Sequence, residues 1–332
     1  MTTPIRWGII GPGSIAHKFA AGLQTTPTGT LIAIGSRNQQ RAEEFADQYG
    51  APNRHDSYQA LATDPEIDAV YIATPHPFHK DHSILCLEAG KAVLCEKPFT
   101  INTAEAEAVV ATARAQDIFL MEAMWTRYLP IIGQVREWLA TGAIGTPRLV
   151  SADFGFRAAI NPEGRLFNPS LGGGALLDIG IYVVSFAAMV LGAQPAQIAA
   201  AAAIGETGVD EQTGILLRYE DGALATLSCA VRATTPHEAR IVGTEGTISI
   251  DPSWWKGESA TLLAGNREER IELPLAGNGY RYEAQEVARC LDEGLRESPT
   301  MPLDETVALM RILDEIRIQI GLQYPMEQRG KK

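Results

Sequence analysis

Through the first third of the chain, short unbroken apolar runs alternate with stretches whose apolar positions recur every three or four residues. The unbroken runs predict strands over 5–10, 31–35, 69–73, 92–95 and 118–121. Between them the helical spacing predicts helices over 14–23, 39–49, 79–89 and 103–115; Phe45 and Tyr49, for example, lie one turn apart. Strands apolar on both faces belong to a sheet covered on both sides, which is the habit of parallel sheets. Strand–helix–strand crossovers are right-handed, so the pattern predicts an α/β fold with a doubly wound Rossmann domain over residues 1–123.

Beyond residue 123 the spacing changes. A helix over 128–141 leads into a strand over 148–156, and a Pro/Gly-rich loop over 161–174 precedes a second helix over 175–191. Strand-like runs then follow closely, over 197–203, 213–219, 223–231, 238–242 and 247–250. Glu220-Asp221-Gly222 and the Gly243–Gly246 segment supply hairpin turns, and a helix over 304–319 closes the pattern. Residues 124–332 therefore read as an α+β domain with a large, mostly antiparallel sheet. Such a sheet has one face free for pairing with a second copy, so the expected assembly is a homodimer or a dimer of dimers through the C-terminal sheet.

Composition narrows the partners. The chain of 332 residues is 45% hydrophobic and 20% charged, as expected for packed globular domains. Its formal charge of −12 argues against nucleic acid or an anionic membrane as partner, while leaving room for a local basic pocket that binds one phosphate. No run attains the roughly eighteen apolar residues of a membrane span; residues 179–191 are too few and include Gly180, Tyr182 and Ser185. The segment from Met1 to Arg6 carries none of the features of a signal peptide. Cys86, Cys95, Cys229 and Cys290 form no C-x-x-C pair and lie in apolar segments, which predicts reduced core thiols and a cytoplasmic protein. Only the polar tail over 328–332 reads as loosely ordered.

The first strand ends in Gly11-Pro12-Gly13-Ser14-Ile15-Ala16, a G-x-G-x-x-A pattern between a strand and a helix. Gly11 permits the tight turn and Gly13 lets the backbone approach a pyrophosphate. Ala16 keeps helix and strand close, and the amides of Ser14 and Ile15 at the helix start favour an anion. NAD sites usually place an acid at the end of the second strand, but here that strand runs out through Gly35-Ser36-Arg37-Asn38. Arg37 can pair with a 2′-phosphate and Ser36 can donate to it, which predicts NADP(H) as cofactor.

The loops at the carboxyl ends of later strands carry more chemistry. The third strand exits through Thr74-Pro75-His76-Pro77-Phe78-His79, and the fourth through Cys95-Glu96-Lys97-Pro98. Such strand ends are where doubly wound sheets bind ligands. Farther on, Gly172-Gly173-Gly174 opens a helix on which Asp178 and Tyr182, four residues apart, share a face. Neither H-x-x-x-H nor a carboxylate cluster at ligand spacing occurs, so no metal site is expected.

In these motifs the chain resembles the Gfo/Idh/MocA oxidoreductases, and the resemblance runs over essentially its whole length. Within the family it is most similar to the dihydrodiol dehydrogenase and NADP-dependent D-xylose 1-dehydrogenase branch. The 119–127 run and the Leu176–Tyr182 run are the particular likeness, with Tyr182 where many members carry histidine. The resemblance implies that Lys97 and Tyr182 are the catalytic pair with Asp178 beside them. It also implies cofactor contacts from Thr74, His76, His79, Glu96, Lys97, Trp125 and Arg127. Trp125, Phe154, Trp254 and Tyr280, with Asp178 and Tyr182, are then candidates to surround the substrate.

The chemistry is consistent with that pairing. Hydride leaves a carbinol carbon only as the hydroxyl proton is withdrawn, so a base is required. A phenol whose ordinary pKa is about 10 is a poor base at neutral pH unless a nearby ammonium favours the phenolate. Tyr182 as base with Lys97 tuning it is one assignment; Lys97 as the direct proton carrier is the other. The implied function is NADP(H)-linked oxidation of a small cyclic hydroxyl compound, either an aldose or a trans-dihydrodiol. The alternatives are a glucose–fructose type of oxidoreductase that retains its cofactor, and a non-catalytic NADP(H) sensor.

Overall fold

The computed structural model describes residues 4–328, so the last four residues of the polar tail lie outside the described residues. The chain begins β1 (Ile5–Ile10), α1 (Ser14–Leu23), β2 (Gly29–Gly35), α2 (Gln39–Tyr49), β3 (Asn53–His55), α3 (Tyr58–Ala62) and β4 (Ala69–Ile72). It continues with α4 (His79–Glu88), β5 (Ala92–Glu96), α5 (Thr103–Gln116) and β6 (Leu120–Ala123). These strands form a six-stranded sheet in the order β3-β2-β1-β4-β5-β6. Every neighbouring pair is parallel. This is the strand order of a dinucleotide-binding sheet, whose crevice opens where the order reverses, between β1 and β4. The apolar runs supply its core: Trp7, Ile9, Ile10, Val70, Ile72 and Leu94 have no exposed surface, and Phe19 of α1 stacks on Tyr71 at 3.9 Å.

The chain then passes through α6 (Pro130–Ala140), β7 (Pro147–Gly155) and a π-helical turn at Leu176–Gly180 that runs into α7 (Ile181–Leu191). Next come β8 (Gln197–Ile204), β9 (Asp210–Arg218), β10 (Leu224–Ala230), β11 (Ala239–Gly243), β12 (Gly246–Ile250), β13 (Ser259–Ala264) and β14 (Arg267–Glu272). The chain ends in α8 (Tyr280–Asp292), α9 (Leu303–Ile320) and α10 (Pro325–Gln328). The second sheet has eight strands in the order β14-β13-β12-β11-β7-β10-β9-β8, and only β7 with β10 is parallel. One face packs against α7 and the π turn. The helical run Pro169–Leu191 is long and apolar enough to cross a membrane by composition, yet 83% of its most apolar window is buried inside this unit. It reads longer than the sequence suggested because short turns fuse ahead of α7.

The chain packs as two compact units. The first runs to Tyr128 and takes back Ala276–Val307; the second comprises Leu129–Leu275 and the residues from Ala308 on. The expected boundary at 123 assigned all later residues to the second domain, whereas α8 returns to the first. Its buried stripe explains why: Tyr280, Glu283, Ala284, Val287 and Cys290 follow helical spacing on one face. Asn278 Nδ2 donates to the Lys18 carbonyl at 2.9 Å, and the Leu120 amide donates to the Arg296 carbonyl at 3.0 Å. The strands β13 and β14 were absent from the sequence reading because Arg267-Glu268-Glu269-Arg270 shows no apolar alternation. They form a charged edge hairpin in which Arg270 pairs with Asp251 at 2.7 Å.

One buried acid in the first unit makes stability depend on pH. Glu122 of β6 has no exposed surface; Oε1 accepts from the Phe99 amide at 3.2 Å, and Oε2 has no hydrogen-bond partner among the described residues. Burial pushes its carboxyl up to about 7, against the opposing pull of Thr306 and Arg127. The folded state therefore holds this proton more tightly than the unfolded chain does. The resulting stability is complete below the unfolded pKa and is lost as pH rises through 7. Between the two pKa values the slope is about 1.4 kcal/mol per pH unit. Glu122→Gln is expected to gain stability over the parent by more at pH 8 than at pH 5.5 in urea unfolding; an equal difference at both values contradicts it.

Candidate functional site

In the first unit the chain turns from β1 into α1 through Gly11, whose φ of +88° falls in the left-handed region. A Cβ there would also lie 2.9 Å from Thr74 Cγ2 and 3.2 Å from the Ala73 backbone, so glycine is required twice over. Gly13 caps α1 in an extended conformation, and a Cβ on it would meet nothing nearer than 4.0 Å. No neighbour in the chain demands glycine at that position; the freed space faces a cavity. The first amides of α1, from Ser14 and Ile15, have no acceptor within the helix.

That cavity, of about 290 Å³, is lined by Gly11, Pro12, Gly13, Ser36, Arg37, Asn38, Arg41, Tyr58, Ala73, Thr74 and Pro75. It joins the expected glycine loop, Ser36, Arg37 and Thr74 in one place. Ser36 Oγ accepts from the Asn38 amide at 3.1 Å, and Asn38 Oδ1 in turn caps α2 through the Arg41 amide at 3.1 Å. This turn sets the Arg37 and Arg41 side chains beside one cavity; the Arg37 guanidinium lies 5.9 Å from the centre of the Phe78 ring. Glycine room, helix amides and two guanidinium groups fit the adenosine end of a phosphorylated dinucleotide. Sequence reasoning missed Arg41 and Tyr58, although the Asn38 cap one turn before Arg41 was a usable signal.

At the other strand ends, Thr74 Oγ1 lies 3.0 Å from His82 Nδ1. His82 packs edge-on to Tyr58 at 4.5 Å, and burial pushes its imidazole down to about 4, so it is neutral. His79 has no exposed surface. Its ring nitrogens lie 2.7 Å from the Thr74 carbonyl and 2.9 Å from the Pro98 carbonyl, and burial holds its pKa below the ordinary value. His79, expected as a cofactor contact, lies between the Thr74 carbonyl and the Pro98 carbonyl, and as a neutral imidazole it donates to one of the two. His76, nearly buried, meets His79 edge-on at 5.7 Å.

Lys97 is half-buried, and its amide donates to Glu96 Oε2 at 3.1 Å. Glu96 Oε1 accepts from the hydroxyl of the fully buried Tyr71. Glu283 of α8 lies fully buried with neither carboxyl oxygen hydrogen-bonded among the described residues. Burial and the charge of Glu96 hold its pKa well above the usual carboxylate range. Trp125 stacks on Tyr280 at 5.0 Å, so these two expected wall residues do meet, within the first unit. Arg127 is 3% exposed and pairs with Glu305 at 2.5 Å within the first unit.

In the second unit, Asp178 lies on the π turn and Tyr182 on the first turn of α7, and both are almost buried. Asp178 accepts from both terminal nitrogens of Arg165, at 2.7 and 3.3 Å. The Tyr182 ring meets Phe154 edge-on at 5.5 Å, and Phe154 stacks on Trp255 at 3.5 Å with only 12° between planes. Trp254 has no exposed surface, and its indole N–H donates to the Asp153 carbonyl at 2.8 Å. Of the Trp-Trp pair, the expected wall residue Trp254 faces the core and Trp255 lies on Phe154. The two tryptophans lie on a short 3-10 turn, Trp254–Lys256, between β12 and β13, where successive side chains point about 120° apart, and the sequence alone did not show which of them faces inward. Among the described residues, no three His, Cys, Asp or Glu side chains gather as metal ligands.

Comparison with known proteins agrees with this layout. Residues 5–124 match the model of the oxidoreductase family with an NAD-binding Rossmann fold, and residues 132–249 match the Gfo/Idh/MocA C-terminal domain. The mouse trans-1,2-dihydrobenzene-1,2-diol dehydrogenase is 41% identical over 336 residues, covering 98% of this chain and 99% of that protein. The human enzyme of that name is 40% identical over 337 residues, with the same coverage. Among solved structures, a 3-ketoreductase from Actinomadura kijaniata in complex with NADP and TDP-benzene superimposes with a TM-score of 0.84 at 26% identity, covering 96% of this chain and 98% of that one. An aldose–aldose oxidoreductase from Caulobacter crescentus shares the fold with a TM-score of 0.87 at 24% identity, over 95% of this chain and 97% of that one. A glycine loop on a parallel sheet, an antiparallel companion sheet and full-length relatives lead to one assignment: the chain is a member of the Gfo/Idh/MocA family of oxidoreductases.

Proposed function

We propose that the chain is an NADP(H)-dependent dehydrogenase that oxidises a secondary or anomeric hydroxyl on a six-membered ring, a trans-dihydrodiol or an aldose. The observation that carries this reading is the setting of Tyr182, a phenol one helical turn from Asp178, edge-on to Phe154, which stacks on Trp255. An aromatic wall of this kind suits the flat face of a ring substrate, while the phenol and carboxylate suit its hydroxyl groups. The cofactor, when bound, supplies the hydride acceptor. Tyr182 takes the hydroxyl proton in oxidation and returns it in reduction; Lys97 favours the anionic phenol and polarises the substrate oxygen. Ser36, Arg37 and Arg41 hold the 2′-phosphate. Asp178 orients a neighbouring hydroxyl, with Arg165 fixing its carboxylate. The names of the vertebrate relatives support the diol, and the likeness to sugar enzymes supports the aldose.

The direct test follows NADPH absorbance with D-xylose, D-glucose and a cyclic trans-diol. Turnover of at least one is expected; tight NADP⁺ binding without turnover of any removes the reading. The free, buried state of all four cysteines supports a reducing compartment such as the cytoplasm, and a fluorescent fusion found only outside it contradicts that.

We also propose association through the open face of the second sheet. Along β8, β9 and β10 this face presents Ala199, Ala201, Gly214, Leu216, Thr226 and Ser228, and a shallow groove of about 740 Å³ crosses it. Leu149, Leu216 and Leu263 are 49, 41 and 45% exposed, apolar area that a monomer leaves in water. Light scattering is expected to give at least twice the chain mass, and Leu216→Lys to lower it. A monomeric parent protein contradicts this.

A further inference from the structure

The glycine triplet ahead of Asp178 and Tyr182 has a structural reason that leads to a residue outside the acid–base set. Gly174 adopts φ +114°, and a Cβ there would come within 2.2 Å of Asp210 Oδ1. Asp210, the first residue of β9, has no exposed surface. Its Oδ2 accepts from the Leu176 amide and from the Thr213 hydroxyl, both at 2.8 Å, while Oδ1 is left against Gly174 without a hydrogen-bond partner among the described residues. The carboxyl group thus caps the π turn at its first amide, across 34 residues of sequence. Glycine at 174 is the condition for that close approach.

We propose that Asp210 is a positioning residue of the acid–base site: its buried carboxyl group fixes the height and rotation of the π turn and of α7, and so the placement of Asp178 and the Tyr182 hydroxyl. A buried carboxyl group is costly unless it is hydrogen-bonded, and the strongest available donors here are an orphan helix amide and a hydroxyl. Within the same unit the loop is held from the other side, where the Tyr324 hydroxyl donates to the Gly173 carbonyl at 2.7 Å and Arg317 lies 5.2 Å from the centre of the Tyr324 ring. The groups facing Asp210 are therefore Arg317 of α9, Tyr324, Thr213 of β9 and Cys229 of β10. Six residues separate the capped amide from Tyr182, and the π turn runs without a break into the first turn of α7, so a rotation of the turn carries into the Tyr182 side chain. An error of about 1 Å at the hydroxyl is enough to cost about a hundredfold in rate.

The catalytic consequence rests on the proposed role of Tyr182, so the test has two separate readouts, both on the full-length protein. Hydrogen exchange followed by mass spectrometry is expected to show faster exchange in peptides spanning 174–184 for Asp210→Ala, with the first unit unchanged. Unchanged exchange there overturns the proposal whatever Tyr182 does. In steady-state kinetics Asp210→Ala is expected to lower kcat ten- to a hundredfold, leave the NADP⁺ dissociation constant within twofold, and cost under threefold in a Tyr182→Phe background. An equal factor in both backgrounds marks a general structural role and overturns the proposal. Asp210→Asn keeps an oxygen for both donors and is expected to restore kcat to within threefold of the parent; a variant as poor as alanine contradicts the capping role. If Asp210→Ala does not fold, Thr213→Ala removes one donor from the same oxygen, and an unchanged kcat and unchanged exchange at 174–184 then overturn the proposal. Full activity in Tyr182→Phe, by contrast, removes the acid–base reading, and the exchange result still decides the positioning of the turn.

Discussion

Tyr182→Phe is expected to lower kcat by about two to four orders of magnitude, the contribution of a positioned acid–base group, while NADP⁺ affinity changes little. The substitution removes one oxygen from a ring held edge-on to Phe154, so packing in the second unit is kept. The dinucleotide residues, from Gly11 to Thr74, lie in the first unit and Tyr182 in the second. The expected pattern is therefore lost turnover with retained cofactor binding, measured by NADPH absorbance and by fluorescence titration. Lys97→Met discriminates between the two proton carriers. If Lys97 only tunes the phenol, the lysine variant keeps some activity that increases with pH, as the phenol ionises unaided. If Lys97 itself carries the proton, Tyr182→Phe stays active and Lys97→Met is dead at every pH.

The parallel sheet was legible because burial on both faces leaves an unmistakable mark: Ala-Val-Tyr-Ile over 69–72 has no polar residue, and every position is buried. The glycine loop was legible for a similar reason, since Gly11 satisfies a backbone constraint visible in the residue type alone. Where a constraint comes from a distant part of the chain, local pattern fails. Glu122 and Glu283 look like surface acids in the sequence and are fully buried. His79, read as a loop residue, is fully buried beside two backbone carbonyls, those of Thr74 and Pro98, the second from a distant loop. The helix α8 was not read from the sequence, and its packing with the first unit rests on contacts that no local pattern names. The π turn follows the same rule, for it depends on Asp210, which no local spacing connects to Leu176.

The second large effect concerns cofactor choice, and it follows from charge. A hydrogen bond to a charged partner contributes about 1.5–3 kcal/mol, so each guanidinium that engages the 2′-phosphate corresponds to about 10- to 150-fold in affinity. Arg37→Ala is expected to raise the NADP⁺ dissociation constant by about that factor and leave NAD⁺ nearly unchanged, since NAD⁺ has no phosphate to lose. Adding Arg41→Ala extends the loss, because both side chains border one cavity. Ser36→Asp goes further than removal: a carboxylate at the end of β2 repels a 2′-phosphate and accepts from a 2′-hydroxyl, so preference is expected to invert. Kd values for both dinucleotides at two salt concentrations check the mechanism, because a charge interaction at exposed guanidinium groups weakens as ionic strength rises and the NAD⁺ contacts do not share that dependence. If Arg37→Ala weakens both dinucleotides equally, the arginine holds the adenine ring against its plane rather than reading the phosphate, and the NADP preference must come from elsewhere.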